Sequence, residues 1–175
     1  MTAKGDQVAL ATNTTTLKQH TVKQKRASPG YPVRIKIPKI NIDASLEYVA
    51  LTSDGALGAP KSPEKAGWYV RGPRPGEKGS AVIDGHFGFK DNLPAVFDNL
   101  HKLNPGDKIY TKDDRGSTTA FIVRALREYG QNENASKVFD SNDGKAHLNL
   151  ITCQGTWDYS QKSFSNRLVV FADKQ

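Results

Sequence analysis

The chain holds a single cysteine among its 175 residues. An internal disulfide is thereby excluded, and so is any metal site built from several cysteines. Long apolar runs are missing as well. Nothing approaches the ~18 residues of a membrane span or the core of a signal peptide. The longest apolar stretch near the start is only Val8 to Ala11. The reading is therefore a soluble chain, with any membrane anchor of the natural protein expected to lie outside this sequence. Acidic residues are outnumbered, 18 against 25 Lys and Arg, for a formal net charge of +7. Such an excess suits anionic partners. The basic residues are scattered, however, without the aromatic-basic platform of a single-strand binder, so nucleic acid is not the expected partner. No acidic run has the pattern of a calcium loop, and neither a metal nor a cofactor is expected.

Residues 1–30 carry Thr, Lys, Gln and Ala without periodicity and close on Ser28-Pro29-Gly30, which predicts a flexible basic tail. From Tyr31 the texture changes, and residues 31–175 are expected to form one domain. Val33 to Ile37 alternates apolar and basic, the pattern of a half-buried strand. Further strands are predicted over Ile40–Leu51, Gly67–Val70, Ser80–His86, Lys108–Thr111, Thr118–Leu126, His147–Thr152 and Arg167–Ala172. Val96, Phe97, Leu100 and Leu103 have helical spacing, so a short helix is predicted over Asn92–Leu103. Ser62-Pro63-Glu64 has the capping residues of a single helical turn, and Val138-Phe139 suggests another. Residues 154–166 read as loop. About eight short strands punctuated by turn signals predict an all-β barrel with one or two short helices.

The lone Cys153 follows Leu150-Ile151-Thr152 and precedes Gln154-Gly155. A small, buried apolar role is one reading of such a residue. The other follows from its setting, because a thiol at a strand end next to glycine is within reach of a substrate. His86 ends another apolar strand and Arg167 begins the last, and strand ends meet at the rim of a barrel. The three types make chemical sense together. A free thiol is only a few per cent ionised at neutral pH, and a neighbouring imidazolium favours the thiolate. The same histidine can protonate a departing amine and deprotonate an incoming one. Arginine stays charged and can donate to an oxyanion. Asp84, two residues before His86, receives no role, since the sequence leaves its orientation open. His101 and His147 are expected to be structural.

The ordered motifs resemble the sortase family of cysteine transpeptidases. Leu150-Ile151-Thr152-Cys153 is similar to the family's Thr-Leu-x-Thr-Cys signature, with Asn149 in place of the first threonine. Ala81 to His86 resembles its Gly-His strand end, and Arg167 to Ala172 its Arg-led last strand. Asp54-Gly55-Ala56-Leu57, Gly67-Trp68-Tyr69, Gly72 to Gly76, Pro94 to Phe97 and Leu103 to Asp107 resemble the class E and F branches. The resemblance covers about residues 33 to 173. It implies an eight-stranded barrel, with Cys153 as nucleophile, His86 as general acid and base, and Arg167 at the oxyanion. It also implies partners. These are proteins with a Leu-Pro-x-Thr-Gly sorting signal and an amine on a cell-wall (peptidoglycan) precursor or a pilin lysine, at the extracellular surface of a Gram-positive cell. Thr152, Val138, Phe139 and Trp157 are the expected substrate contacts. Two alternatives stay open, a cysteine peptidase without efficient transfer and a catalytically silent surface module.

Overall fold

A computed structural model describes residues 28–88 and 94–175. The predicted tail falls almost wholly outside them. β1 (Pro32–Ile37) turns Ile35 and Ile37 inward and Arg34 and Lys36 outward, as its alternation requires. Pro38 has no N–H for a continuing ladder, and the chain bends through a 3-10 turn, Pro38–Ile40, capped by Asn41 at φ 54°. The remaining strands are β2 (Ile42–Val49), β3 (Ala66–Tyr69), β4 (Gly79–Gly85), β5 (Lys108–Asp113), β6 (Thr118–Gly130), β7 (Ala146–Asp158) and β8 (Ser163–Lys174), with one helical turn, α1 (Ser136–Phe139). They close into a barrel in the order β1-β2-β3-β4-β7-β8-β6-β5, which leaves no sheet edge unpaired. β2 with β3 and β4 with β7 are parallel; every other pair is antiparallel. The all-β barrel expected from the turn signals is the fold observed.

Ile35, Ile83, Phe97, Phe121, Leu150 and Val170 are completely buried in the barrel interior. A second, smaller cluster lies outside the sheet. There Val82, Ile151 and Val169 pack beneath Tyr129 and Val138, so the segment carrying α1 is pinned to the outer face of β4, β7 and β8.

Three expectations need correction. No α-helix forms over the described part of 92–103; turns lead into one 3-10 turn, Leu100–Lys102, and residues 89–93 lie outside the described ones. The cause is competition for backbone donors. Val96 N–H donates to Pro63 (2.8 Å) and Phe97 N–H to His86 (3.1 Å), so neither feeds a helical ladder. Ser62–Lys65 forms a turn and not a helix. Residues 154–166 are not a loop, because β7 and β8 run through them as a twisted hairpin. Gly155, at φ +89°, makes the bulge where the register shifts, and a Cβ there would meet Ser165 Oγ. The absence of a side chain at Gly155 thus lets β8 approach closely.

Candidate active site

The parallel ladder between β4 and β7 sets the geometry. Asp84 pairs with Ile151 and Gly85 with Thr152, the last registered pair. His86 and Cys153 each follow that last pair by one residue. Across the antiparallel partner, Cys153 pairs directly with Arg167, and Arg167 pairs in turn with Tyr129 of β6. Paired residues and residues two apart share a face. Asp84, Cys153 and Arg167 therefore all project outward, on the face that α1 partly covers. Cys153 and Arg167 are thus mid-strand residues and not strand ends, since the hairpin carries both strands beyond the site.

Each of the three expected residues is held by its surroundings. The His86 ring bonds to the Pro60 carbonyl through Nε2, at 2.7 Å. A carbonyl can only accept, so Nε2 carries the proton and Nδ1 is left as the basic nitrogen. Its backbone carbonyl accepts from Phe97, fixing the residue at both ends. Arg167 donates to Phe164 O (3.0 Å), Asn166 O (3.1 Å) and Ser163 Oγ (3.1 Å), all on its own strand. A guanidinium has more donors than these three bonds use. Cys153 is half-buried, and burial pushes its thiol above the ordinary value. The Arg167 charge pulls it back and Asp84 pushes it further up. No hydrogen bond joins His86 to Cys153 among the described residues; the ring is committed to Pro60 instead.

Cys153, Arg167 and Asp84 line a cavity of about 300 Å3 whose other walls include Leu57, Val138, Phe139, Ile151 and Val169. Gly67, which pairs with Asp84 on the β3 side, adds no side chain. A Cβ at Gly67 would lie 2.7 Å from Val49 Cγ1 and 3.2 Å from Pro60 Cγ. Of the expected substrate contacts, Val138 and Phe139 are on this cavity. Val138 is fully buried, while Phe139 remains exposed with its ring edge-on to Tyr69. Trp157 is not on it. It stands edge-on to Phe164, which stands edge-on to Phe87, a row of aromatic rings beginning next to His86. Thr152 faces the opposite way, inward, and is 1% exposed. Its hydroxyl donates to Gly85 O at 2.7 Å, so its task is to lock the two strands that carry His86 and Cys153.

Asp84 is the residue that sequence reasoning missed. Its spacing from His86 places both on one face of a strand, a signal that was there to use. Only the pairing with Ile151 shows that this face is the cleft. Burial raises its carboxyl to about 7, against the Gly85 N–H and Arg167, which both lower it. A larger cavity, about 690 Å3, lies on the far side of α1, around His147 and Asn149. Cys153 lines the smaller cavity and not this one. Asn149 donates to Val138 O at 2.6 Å, tying β7 to α1, while its Oδ1 has no partner.

A protein-family model described as "Sortase domain" matches residues 35–175. No curated protein matches the sequence. Solved structures do. Sortase C-1 from Actinomyces oris superposes with a TM-score of 0.65 at 24% identity, over 82% of this chain and 74% of that one. Sortase A from Corynebacterium diphtheriae gives 0.63 at 26%, over 86% of this chain and 63% of the other, so the present chain spans less than two thirds of its length. Sortase C from Clostridium perfringens SM101 gives 0.60 at 20%, over 84% and 71%.

Proposed function

Because the chain belongs to the sortase family, we propose that it is a cysteine transpeptidase that cleaves a Leu-Pro-x-Thr-Gly-type sorting signal and passes the acyl group to an amine. Cys153 Sγ attacks the scissile carbonyl carbon and the thiol proton passes to His86. The oxyanion forms beside Arg167, which donates to it. Collapse expels the leaving amine, protonated by His86, and leaves a thioester on Cys153. An incoming amine is deprotonated by His86 as it attacks the thioester; the second collapse returns the Cys153 thiol and leaves a new amide. Phe139 supplies apolar contact for the Leu-Pro part with the buried Val138 behind it, and Trp157 stands off this cavity, in the aromatic row with Phe164 and Phe87.

The observation that carries this reading is the direct pairing of Cys153 with Arg167 in a cleft one step from His86. The acceptor is an amine of a cell-wall precursor or a pilin lysine, and the site of action is the cell surface. Among the described residues no helix is long and apolar enough to cross a membrane. The class E and F assignment rests on the sequence motifs alone. Mass spectrometry of the protein incubated with a small library of sorting peptides tests the reading. The expected result is an acyl adduct on Cys153, and its absence across the library, with the thiol intact and reactive, overturns the proposal.

A further inference from the structure

Two acids and one guanidinium line this cleft. Arg167 is the cross-strand partner of Cys153, and Asp84 projects from β4 onto the same face. All three line the same cavity, between Ile151 and Val169 on one side and Val138 on the other. Asp84 does not orient the histidine, whose ring is held by Pro60.

The neighbouring elements present few groups to Asp84. His86 follows the end of its own strand, and β3 offers only Gly67. Cys153 comes from β7, Arg167 from β8 and Tyr129 from β6, and the β6–β7 connection adds Glu133, which is itself paired with Arg127. Arg167 is the one permanent cation in that set. Arg167 favours the ionised form of both acids, and each ionised acid disfavours the other. Burial works against both.

We propose that Asp84 is a positioning residue for the nucleophile: its carboxylate, on the same face and in the same cavity as Cys153, opposes ionisation of the sulfur and so holds the resting residue as a neutral thiol. Protonation of Asp84 removes that repulsion and leaves Arg167 as the charge acting on the thiolate. A thiol kept neutral in the empty cleft is protected from adventitious oxidation and alkylation, which act on the thiolate. The inference rests on Cys153 being the nucleophile but needs no knowledge of the peptide.

The test is therefore free of peptide. Alkylation of Cys153 by iodoacetamide is followed by mass spectrometry from pH 5.5 to 10 in the wild type, Asp84→Asn and Asp84→Glu. The expected result for Asp84→Asn is a thiol midpoint moved to lower pH, with alkylation at pH 7.5 faster by up to about tenfold, the equivalent of one pKa unit. Asp84→Glu keeps the wild-type direction. The wild-type profile alone carries a second inflection near pH 7, where the Asp84 carboxyl titrates, so the question is answerable even if Asp84→Asn fails to fold. A one-proton wild-type profile, or an Asp84→Asn midpoint equal to or above that of the wild type, overturns the inference. Because sorting peptides are not involved, loss of the transpeptidase reading would show separately, as thiol reactivity without any acyl adduct.

Discussion

Cys153 and Arg167 are cross-strand partners in a ladder that runs unbroken from His147–Asp173 to Gln154–Asn166. A slip of one residue would turn the guanidinium to the barrel interior and leave the thiol facing Asn166 or Leu168. Eight consecutive pairs, half of them with a buried apolar member, guard against it.

Arg167→Ala should lower the rate of Cys153 acylation by roughly 10²–10³-fold, the usual cost of losing one oxyanion donor. It should also move the thiol midpoint to higher pH, since Arg167 lowers it. Arg167→Lys should restore the midpoint better than the rate, because the charge survives but the fork geometry does not. Single-turnover acylation and alkylation profiles measure the two effects separately; an equal loss of both in Arg167→Ala would mean misfolding.

Replacing the nucleophile separates transfer from hydrolysis. Cys153→Ala should give no adduct with any sorting peptide while its far-UV circular dichroism stays that of the wild type. In the wild type, an added amine should divert product to the ligated form. Hydrolysis alone across varied amines would favour a peptidase.

Gly85→Ala tests how tightly the turn into His86 is built. The added Cβ would lie 2.7 Å from Val96 Cγ1 and closer still to the ring of Phe97. Overpacking of this kind costs about 1–3 kcal/mol. Chemical denaturation should show that loss, and acylation should fall by more than stability accounts for, because His86 is the next residue.

Asn149→Ala removes the bond that fastens α1 to β7 and leaves the Val138 carbonyl unpaired, at about 1–2 kcal/mol. The effect should appear mainly in KM for the peptide. Alkylation of Cys153 by a small reagent should hardly change.

His147 supplies a pH-dependent clamp away from the chemistry. Its ring bonds to Asp173 (2.7 Å) and Asp143 (3.0 Å). Burial lowers its pKa, but the two carboxylates outweigh burial and the net shift is upward. The stability it contributes is therefore fully present below the unfolded value of about 6.5 and is lost as pH rises through the folded one. Asp143 is shifted downward, so its share is present above the unfolded carboxylate value and lost as pH falls. The melting-temperature gap between the wild type and His147→Ala should be wider at pH 5.5 than at pH 9.

Much of this was legible in the chain. Val33 to Ile37 and Thr118 to Leu126 declare themselves by alternation and β-branched content. Cys153, His86 and Arg167 declare themselves by residue type. What was not legible depended on partners. The apolar spacing of Val96, Phe97, Leu100 and Leu103 imitates a helix, yet the backbone donors of Val96 and Phe97 are taken by Pro63 and His86. The polar run after Cys153 imitates a loop because its side chains face solvent, while its backbone bonds are made within the hairpin. Thr152 belonged to the motif, but only its register with Gly85 shows that it faces inward. Asp84 was set aside for want of that same register.

The Thr152 hydroxyl on the Gly85 carbonyl joins two parallel strands at the level of the reacting groups. Parallel neighbours cannot be linked by a tight turn, so residues 86–145 form a long connection that passes through β5, β6 and α1 before β7 begins. Residues 50–65 likewise connect the parallel pair β2 and β3. Both connections supply walls of the cleft, through Leu57 and Ala59 in one case and Val138 and Phe139 in the other. Neither supplies its thiol or its guanidinium. For redesign, the thiol and guanidinium are mounted on the barrel strands, whereas His86 and the Pro60 carbonyl that holds its ring stand on the two connections, so a new peptide preference can be grafted there only if that contact is kept.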